Sequence, residues 1–422
     1  MKQSISLFGW RSALPRLAIA GATAVSLIVT ACSGTASVPT PAPTTAPIAA
    51  ATTAPAPTAV PATATTAPTI APTVAPTVAP TQAAAAATTA PAPTTSAATT
   101  TGIQTTLTGA PVPLVVYSAQ GYDSDMVKAF QKATGIPTKL VDDSTGPLLA
   151  RIQAEKANPQ WGLVWVDGDE AFASLDQQGI LAKSFEPDVN WTDQGKAVVP
   201  KDQSYIPTGL TVAGTLVYDT RFVSSPPTTW QDLLKPEWKG LVGMNNPAIS
   251  GPTYPFVAGM MQYLGGETQG KQFYTQLKAN GLHVYKTNGD TLHALETGAI
   301  KVAMIQSSAG IGAGLKTSSI KVAFLPKVSL LPSAIGIDAK APAQEQTEAK
   351  MFAEFVLSPA GQEVMLNGDK SGDSLYWPVV SGIQPLSAVP SIASVPTQVL
   401  DPYAWGAKES EINQWFSQQI AQ

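Results

Sequence analysis

A loop rich in hydroxyls just ahead of a helix offers chemistry for an anion. Asn246-Pro247-Ala248-Ile249-Ser250-Gly251-Pro252-Thr253 has that form, with a helix expected over 253–264. The first amides of a helix lack intrahelical acceptors, and the helix dipole adds positive potential there. Ser250 and Thr253 add hydroxyl donors, whereas Pro252 has no N–H and removes one. Ser250 has a plainer alternative as the helix cap. Asp167 follows the apolar run Leu163-Val164-Trp165-Val166. Strand ends of an α/β sheet face its crevice, where a carboxylate suits an amine or a metal ion; otherwise it is a cap or turn residue. Ser307 and Ser308 follow the run Val302-Ala303-Met304-Ile305 and suit hydrogen bonds to a polar organic ligand, or are plain loop serines. Catalysis has little to build on. Ser307-Ser308-Ala309-Gly310 lacks the Gly-x-Ser-x-Gly elbow, and neither His283 nor His293 is placed as a base. The reading is of a binder, not an enzyme, with no cofactor and no metal.

Such groups need a scaffold, and it begins late. The chain has 422 residues, of which 13% are charged. From Ser33 to Tyr122 there is no Asp, Glu, Lys or Arg. A net charge of -4 leaves no basic stripe for nucleic acid. From Pro113 onward apolar strands alternate with amphipathic helices. Leu114-Val115-Val116-Tyr117 reads as a buried strand, and Met126, Phe130 and Ala133 share a helix face over 125–134 that Gly135 closes. Strands over 137–141 and 163–166 flank helices over 148–156 and 170–178. A second run of strands falls at 215–218, 243–244, 302–305 and 322–324. Short helical segments over 230–234, 253–264, 271–280, 291–297 and 347–357 accompany it. This alternation implies parallel sheets faced by helices, in two α/β lobes with a cleft between them. Tyr218 and Trp165 read as core or hinge residues rather than as ligand-stacking partners.

The N-terminus reads as an address. Lys2, Arg11 and Arg16 precede an apolar run over 17–30, shorter than the roughly 20 residues a membrane span needs. Val29-Thr30-Ala31-Cys32 resembles a bacterial lipobox, and Cys32 is the single cysteine, so no intrachain disulfide forms. Two or more acyl chains there would give stable anchoring on the outer face of the cell membrane. Residues 1–32 are thus read as a lipoprotein signal. Residues 33–112 repeat Thr-Ala-Pro units without aromatics and read as a disordered tether. At ~3.1 Å per residue, such a tether reaches on the order of 200 Å.

Five stretches in order resemble a known family. They are Leu114-Val115-Val116-Tyr117-Ser118-Ala119, Phe130-Gln131-Lys132-Ala133-Thr134-Gly135-Ile136 and Leu216-Val217-Tyr218-Asp219-Thr220, then Thr229-Trp230-Gln231-Asp232-Leu233-Leu234 with Pro236-Glu237-Trp238-Lys239-Gly240, and Phe355-Val356-Leu357-Ser358-Pro359-Ala360-Gly361-Gln362. Together, over about 113–385, they resemble the extracellular solute-binding proteins of ABC importers, in the ferric-ion and 2-aminoethylphosphonate group. The resemblance implies a two-lobed periplasmic-binding-protein type II fold. Each lobe is a mixed, mostly parallel sheet flanked by helices, joined to the other by hinge strands. Lobe 1 is expected over 113–208 plus about 336–384, and lobe 2 over 209–335 plus about 385–422. The resemblance also implies ligand contact from Ser118, Ala119 and Gln120, an anion at Ser250, Gly251 and Thr253, and a role for Asp167. Ferric binders of the group usually carry two adjacent tyrosines where this chain has Gln306, Ser307 and Ser308, which disfavours iron. The expected function is capture of a small anionic or zwitterionic, phosphonate-like solute by a monomer that closes and hands it to a permease and its ATPase. Alternatives are a metal-complex binder of the same class and a display or adhesion lipoprotein.

Overall fold

The computed structural model describes residues 102–422; the lipoprotein signal with Cys32, and the tether as far as residue 101, lie outside the described residues. The first sheet is built on strand β1 (Leu114–Ser118), which lies between β2 (Thr138–Asp142) and β3 (Leu163–Asp167) and is parallel to both. Helices α1 (Asp123–Thr134), α2 (Thr145–Ala154) and α3 (Asp169–Gln177) connect or follow these strands. In α1, Met126, Val127 and Phe130 are buried at three- and four-residue spacing. Gly135, at φ 74°, closes it in the left-handed conformation that glycine adopts without strain.

After the short α4 (Asp193–Ala197), β4 (Tyr205–Val212) runs through the first sheet and continues past Ala213-Gly214 into β5 (Thr215–Asp219) of the second. The second sheet also holds β6 (Val242–Asn245), β7 (His283–Tyr285), β8 (Val302–Ile305) and β9 (Ile320–Ala323), in the order β7-β6-β8-β5-β9. Helices α5 (Thr253–Tyr263), α6 (Glu267–Ala279), α7 (Asn288–Glu296) and α8 (Ser307–Lys316) flank it. The chain returns through β10 (Val328–Ile337), inserted between β3 and β4 and antiparallel to both. It ends with α9 (Ala343–Leu357), α10 (Pro359–Gly368), β11 (Trp377–Pro378), β12 (Thr397–Gln398), α11 (Pro402–Gly406) and α12 (Glu409–Gln419). Both sheets are mixed: β6 is parallel to β7 and β8, while β5 is antiparallel to β8 and β9. One apolar core takes one face of each sheet with the helices packed on it, and two smaller cores take the opposite face of the first and of the second sheet.

Three expectations change. Residues 209–212 and 328–335 belong to the first sheet, not to lobe 2, because β4 and β10 pair from Leu330↔Val212 to Gly336↔Tyr205. Pro207 and Gly209 hide β4 in the sequence. The register jumps from Ser333↔Gly209 to Ala334↔Pro207, so Thr208 is the extra residue of a bulge that accommodates them. Residues 385–422 span both lobes rather than joining lobe 2. The α11 helix packs on α3, with Tyr403 Oη donating to Asp176 at 3.1 Å, while Phe416 of α12 meets Tyr274 of α6 edge-on at 5.4 Å. Residues 102–112 are a strap docked on α9, not tether. The amides of Gln104 and Thr105 donate to Glu354 Oε2 at 2.9 and 2.8 Å, and the Val112 amide donates to Glu348 at 2.8 Å. Ile103 and Leu107 pack against the core, so this stretch has the apolar anchors that a Thr-Ala-Pro repeat lacks.

Candidate functional site

Strand ends and helix starts from both lobes line a cavity of about 210 Å³. Ser144 and Thr145 come from the start of α2, Ser250, Gly251 and Pro252 from the start of α5, and Thr287, Asn288 and Gly289 from the start of α7; Gln306 precedes α8. Four helix N-termini therefore converge. At α2, α5 and α8 no side chain caps the helix. The Gly146 and Thr253 amides are taken by the Ile249 and Ser250 carbonyls and Pro255 has none, so the first-turn amides left for another acceptor are those of Thr145, Tyr254 and the start of α8. The fourth, α7, is closed by a capping box between Thr287 and Asp290. Buried Asn245, at the end of β6, ties the cradle together. Its Nδ2 donates to Ser250 Oγ at 3.2 Å and to Asn288 Oδ1 at 2.6 Å, and its Oδ1 accepts from Thr291 at 2.6 Å.

The inner end of the cavity is acidic. Asp167 and Asp373 both line it, and no residue lining it is basic. Gln120 Nε2 donates to Asp167 Oδ1 at 3.2 Å, and Gln306 Nε2 donates across the cleft to Asp167 Oδ2 at 3.0 Å. Burial raises the Asp167 carboxyl above the usual aspartate range, against the hydrogen bonds from Gln120, Gln306 and Ser333. Asp373 is pushed up to about 7 by burial and then by the charge of Asp167, with the Gly121 amide at 2.7 Å opposing the shift. Two carboxylates that resist joint ionisation favour a cation between them.

The lobes touch beside the cavity. The Gly146 amide donates to the Ile249 carbonyl at 3.0 Å. A Cβ on Gly146 would lie 2.1 Å from the Ala248 carbonyl oxygen, and one on Gly251 would lie 2.4 Å from Thr145 Oγ1. Only hydrogen fits at either position, so both glycines permit the closed arrangement.

Of the expected site residues, the cleft brings together Ala119, Gln120, Asp167, Ser250 and Gly251. Four others point elsewhere. Ser118 is buried and accepts the Gln120 amide at 3.2 Å. Thr253 is buried in the first turn of α5. Ser307 and Ser308 begin α8 instead of forming a loop, because the helix starts straight after β8. Ser307 Oγ accepts the Val212 amide at 3.0 Å, and the Ser308 hydroxyl is buried without a hydrogen-bond partner. Ser144, Thr145, Thr287, Asn288, Gly289, Asn245 and Asp373 were not anticipated. The Thr287-x-x-Asp290 spacing is a helix-start signal that marks one of these groups; Asp373 carries no local signal.

Comparison with known proteins agrees with this architecture. The family of bacterial extracellular solute-binding proteins matches residues 125–394. A Salmonella typhimurium protein, provisionally named a 2-aminoethylphosphonate-binding periplasmic protein, is 24% identical over 263 residues, covering 59% of this chain and 75% of its own. Iron-bound HitA from Pseudomonas aeruginosa superposes with a TM-score of 0.61 at 21% identity, over 72% of this chain and 99% of its own. AfuA from Actinobacillus pleuropneumoniae, with fructose-6-phosphate bound, gives 0.65 at 19% identity, over 73% and 98%. With a two-lobed type II fold and a family match over most of its described length, the chain belongs to the bacterial extracellular solute-binding proteins.

Proposed function

We propose that this protein captures a small zwitterion with a phosphonate-like head for an ABC importer, acting by lobe closure and without catalysis. One observation carries the reading: three helix starts without side-chain caps, from both lobes, meet over one cavity whose inner end holds two carboxylates. The helix amides suit the anionic head, and Asp167 with Asp373 suits an amine. The name of the Salmonella relative points to the same ligand class. Iron is a poorer match. Gln306, Ser307 and Ser308 replace the tyrosines, and among the described residues no three His, Cys, Asp or Glu side chains are grouped to hold a metal. Binding energy drawn from both lobes favours the closed state, which a permease and its ATPase then read. In this reading the monomer is held at the outer membrane face by lipid on Cys32. Acyl labelling that persists in Cys32→Ala would refute that part. Calorimetric titration with 2-aminoethylphosphonate, phosphate and ferric citrate tests the ligand class. Heat is expected with the first; silence with all three, or tighter binding of ferric citrate, refutes it.

A further inference from the structure

A second chamber of about 10 Å³ adjoins the main cavity, sharing Asp167, Gln306 and Asp373 with it. That is the space of about one water molecule. Asp167 and Asp373 face it together with Thr211 and Ser333, and Tyr122 and Tyr376 close its sides. Resting on the function proposed above, we infer that this chamber seats a primary ammonium group and sizes the ligand, so that N-methylated and amine-free phosphonates are rejected.

The walls have little freedom to widen. Tyr122 and Tyr376 are buried, and their hydroxyls donate to Gln120 Oε1 and Gln362 Oε1, each at 2.9 Å. A Cβ on Gly209 would already lie 2.6 Å from Tyr376 Cδ2. Ser333 is held from below by the chain Trp165 Nε1 to Thr208 Oγ1 at 3.0 Å and Thr208 Oγ1 to Ser333 Oγ at 3.1 Å. The bulge at Thr208 is what turns this hydroxyl under the chamber. A primary ammonium is close to water in size and brings three N–H donors, which the two carboxylates and the Thr211 hydroxyl can accept. A trimethylammonium brings no N–H and three methyl groups, which would push on both tyrosines. A phosphonate without an amine leaves the two carboxylates with no cation between them, bonded by the Gln120 and Gln306 side-chain amides and the Gly121 backbone amide.

The full chain is titrated by calorimetry with 2-aminoethylphosphonate, its N,N,N-trimethyl analogue and ethylphosphonate. The primary amine is expected to bind about 100-fold tighter than the trimethyl analogue and at least about 10-fold tighter than ethylphosphonate. A trimethyl analogue within about threefold of the primary amine overturns the inference while the proposed function stands. Silence with all three compounds overturns the proposed function, and the inference with it. In Asp373→Asn, shown to be folded by thermal unfolding, the preference for the amine over ethylphosphonate is expected to shrink; an unchanged preference removes Asp373 from the chamber's role.

Discussion

Gly146→Ala is expected to hold the cleft ajar without harming either lobe. Gly146 is the second residue of α2 and meets the other lobe directly. The new Cβ would stand 2.1 Å from the Ala248 carbonyl oxygen and 2.9 Å from Ile249 Cα. Backbone atoms cannot bend away as a flexible side chain does, so the two lobes must separate there by about 1 Å. That separation breaks the 3.0 Å bond from the Gly146 amide to Ile249. The bond contributes about 1 kcal/mol and overpacking costs about 1–3 kcal/mol. Both fall on the closed state alone, because the open state has no such contact. The sum, at least about 2 kcal/mol, corresponds to roughly 30-fold weaker ligand binding. Alanine also suits a helix better than glycine, by about 1 kcal/mol, so the melting temperature of the ligand-free protein should hold or rise. Calorimetry with 2-aminoethylphosphonate measures the affinity, and small-angle scattering with and without it measures closure. Affinity within about twofold of the native value, with unchanged closure, would refute the argument.

The other expectations can be checked alongside. Because burial pushes the Asp373 carboxyl up to about 7 in the folded protein, its contribution to stability is full only below the ordinary aspartate value of about 4 and is lost as pH rises from there through about 7. An ammonium needs the ionised form, so affinity should fall about tenfold per pH unit below 7 with a proton released on binding, and this linkage should vanish in Asp373→Asn. The groups facing Asp373 are Asp167, Asp369 and Asp123 from its own lobe, with His293, Glu296 and Lys316 across the adjoining groove. Calorimetry in buffers of different ionisation enthalpy reads the released proton, and its absence would count against an amine at this position. Asn245→Ala should weaken binding by about tenfold and lower stability by about 1–3 kcal/mol, since Ser250, Asn288 and Thr291 lose their common partner. Denaturant titration beside calorimetry separates the two effects. Glu354→Ala removes the acceptor of Gln104 and Thr105, so the strap over 102–112 should become open to protease while ligand affinity stays unchanged. Unchanged cleavage would show that Ile103 and Leu107 suffice to hold it.

The strand-and-helix alternation of the first lobe was legible because it is local. The run Leu163 to Val166 and the spacing of Met126 and Phe130 reflect burial on one face. Asp167 could be singled out because a charged residue ending an apolar strand is itself a local signal. The loop before α5 was legible for the same reason, through Ser250 and Gly251. Elements that broke local rules were not. Pro207 and Gly209 hide β4, and the glycines after Ser307 hide α8. Asp373 sits in Asp369-Lys370-Ser371-Gly372-Asp373, which reads as an ordinary turn. Only the path of the chain, twice across the hinge and back, carries that turn to Asp167 and sets three uncapped helix starts from two lobes around the same cavity. Sequence alone therefore determined the locally regular elements, such as β1, β3 and α1, and the type of several groups they present, because residues a few positions apart control those outcomes. Tertiary structure alone decided which groups share a cavity, because that depends on contacts between segments far apart in the chain.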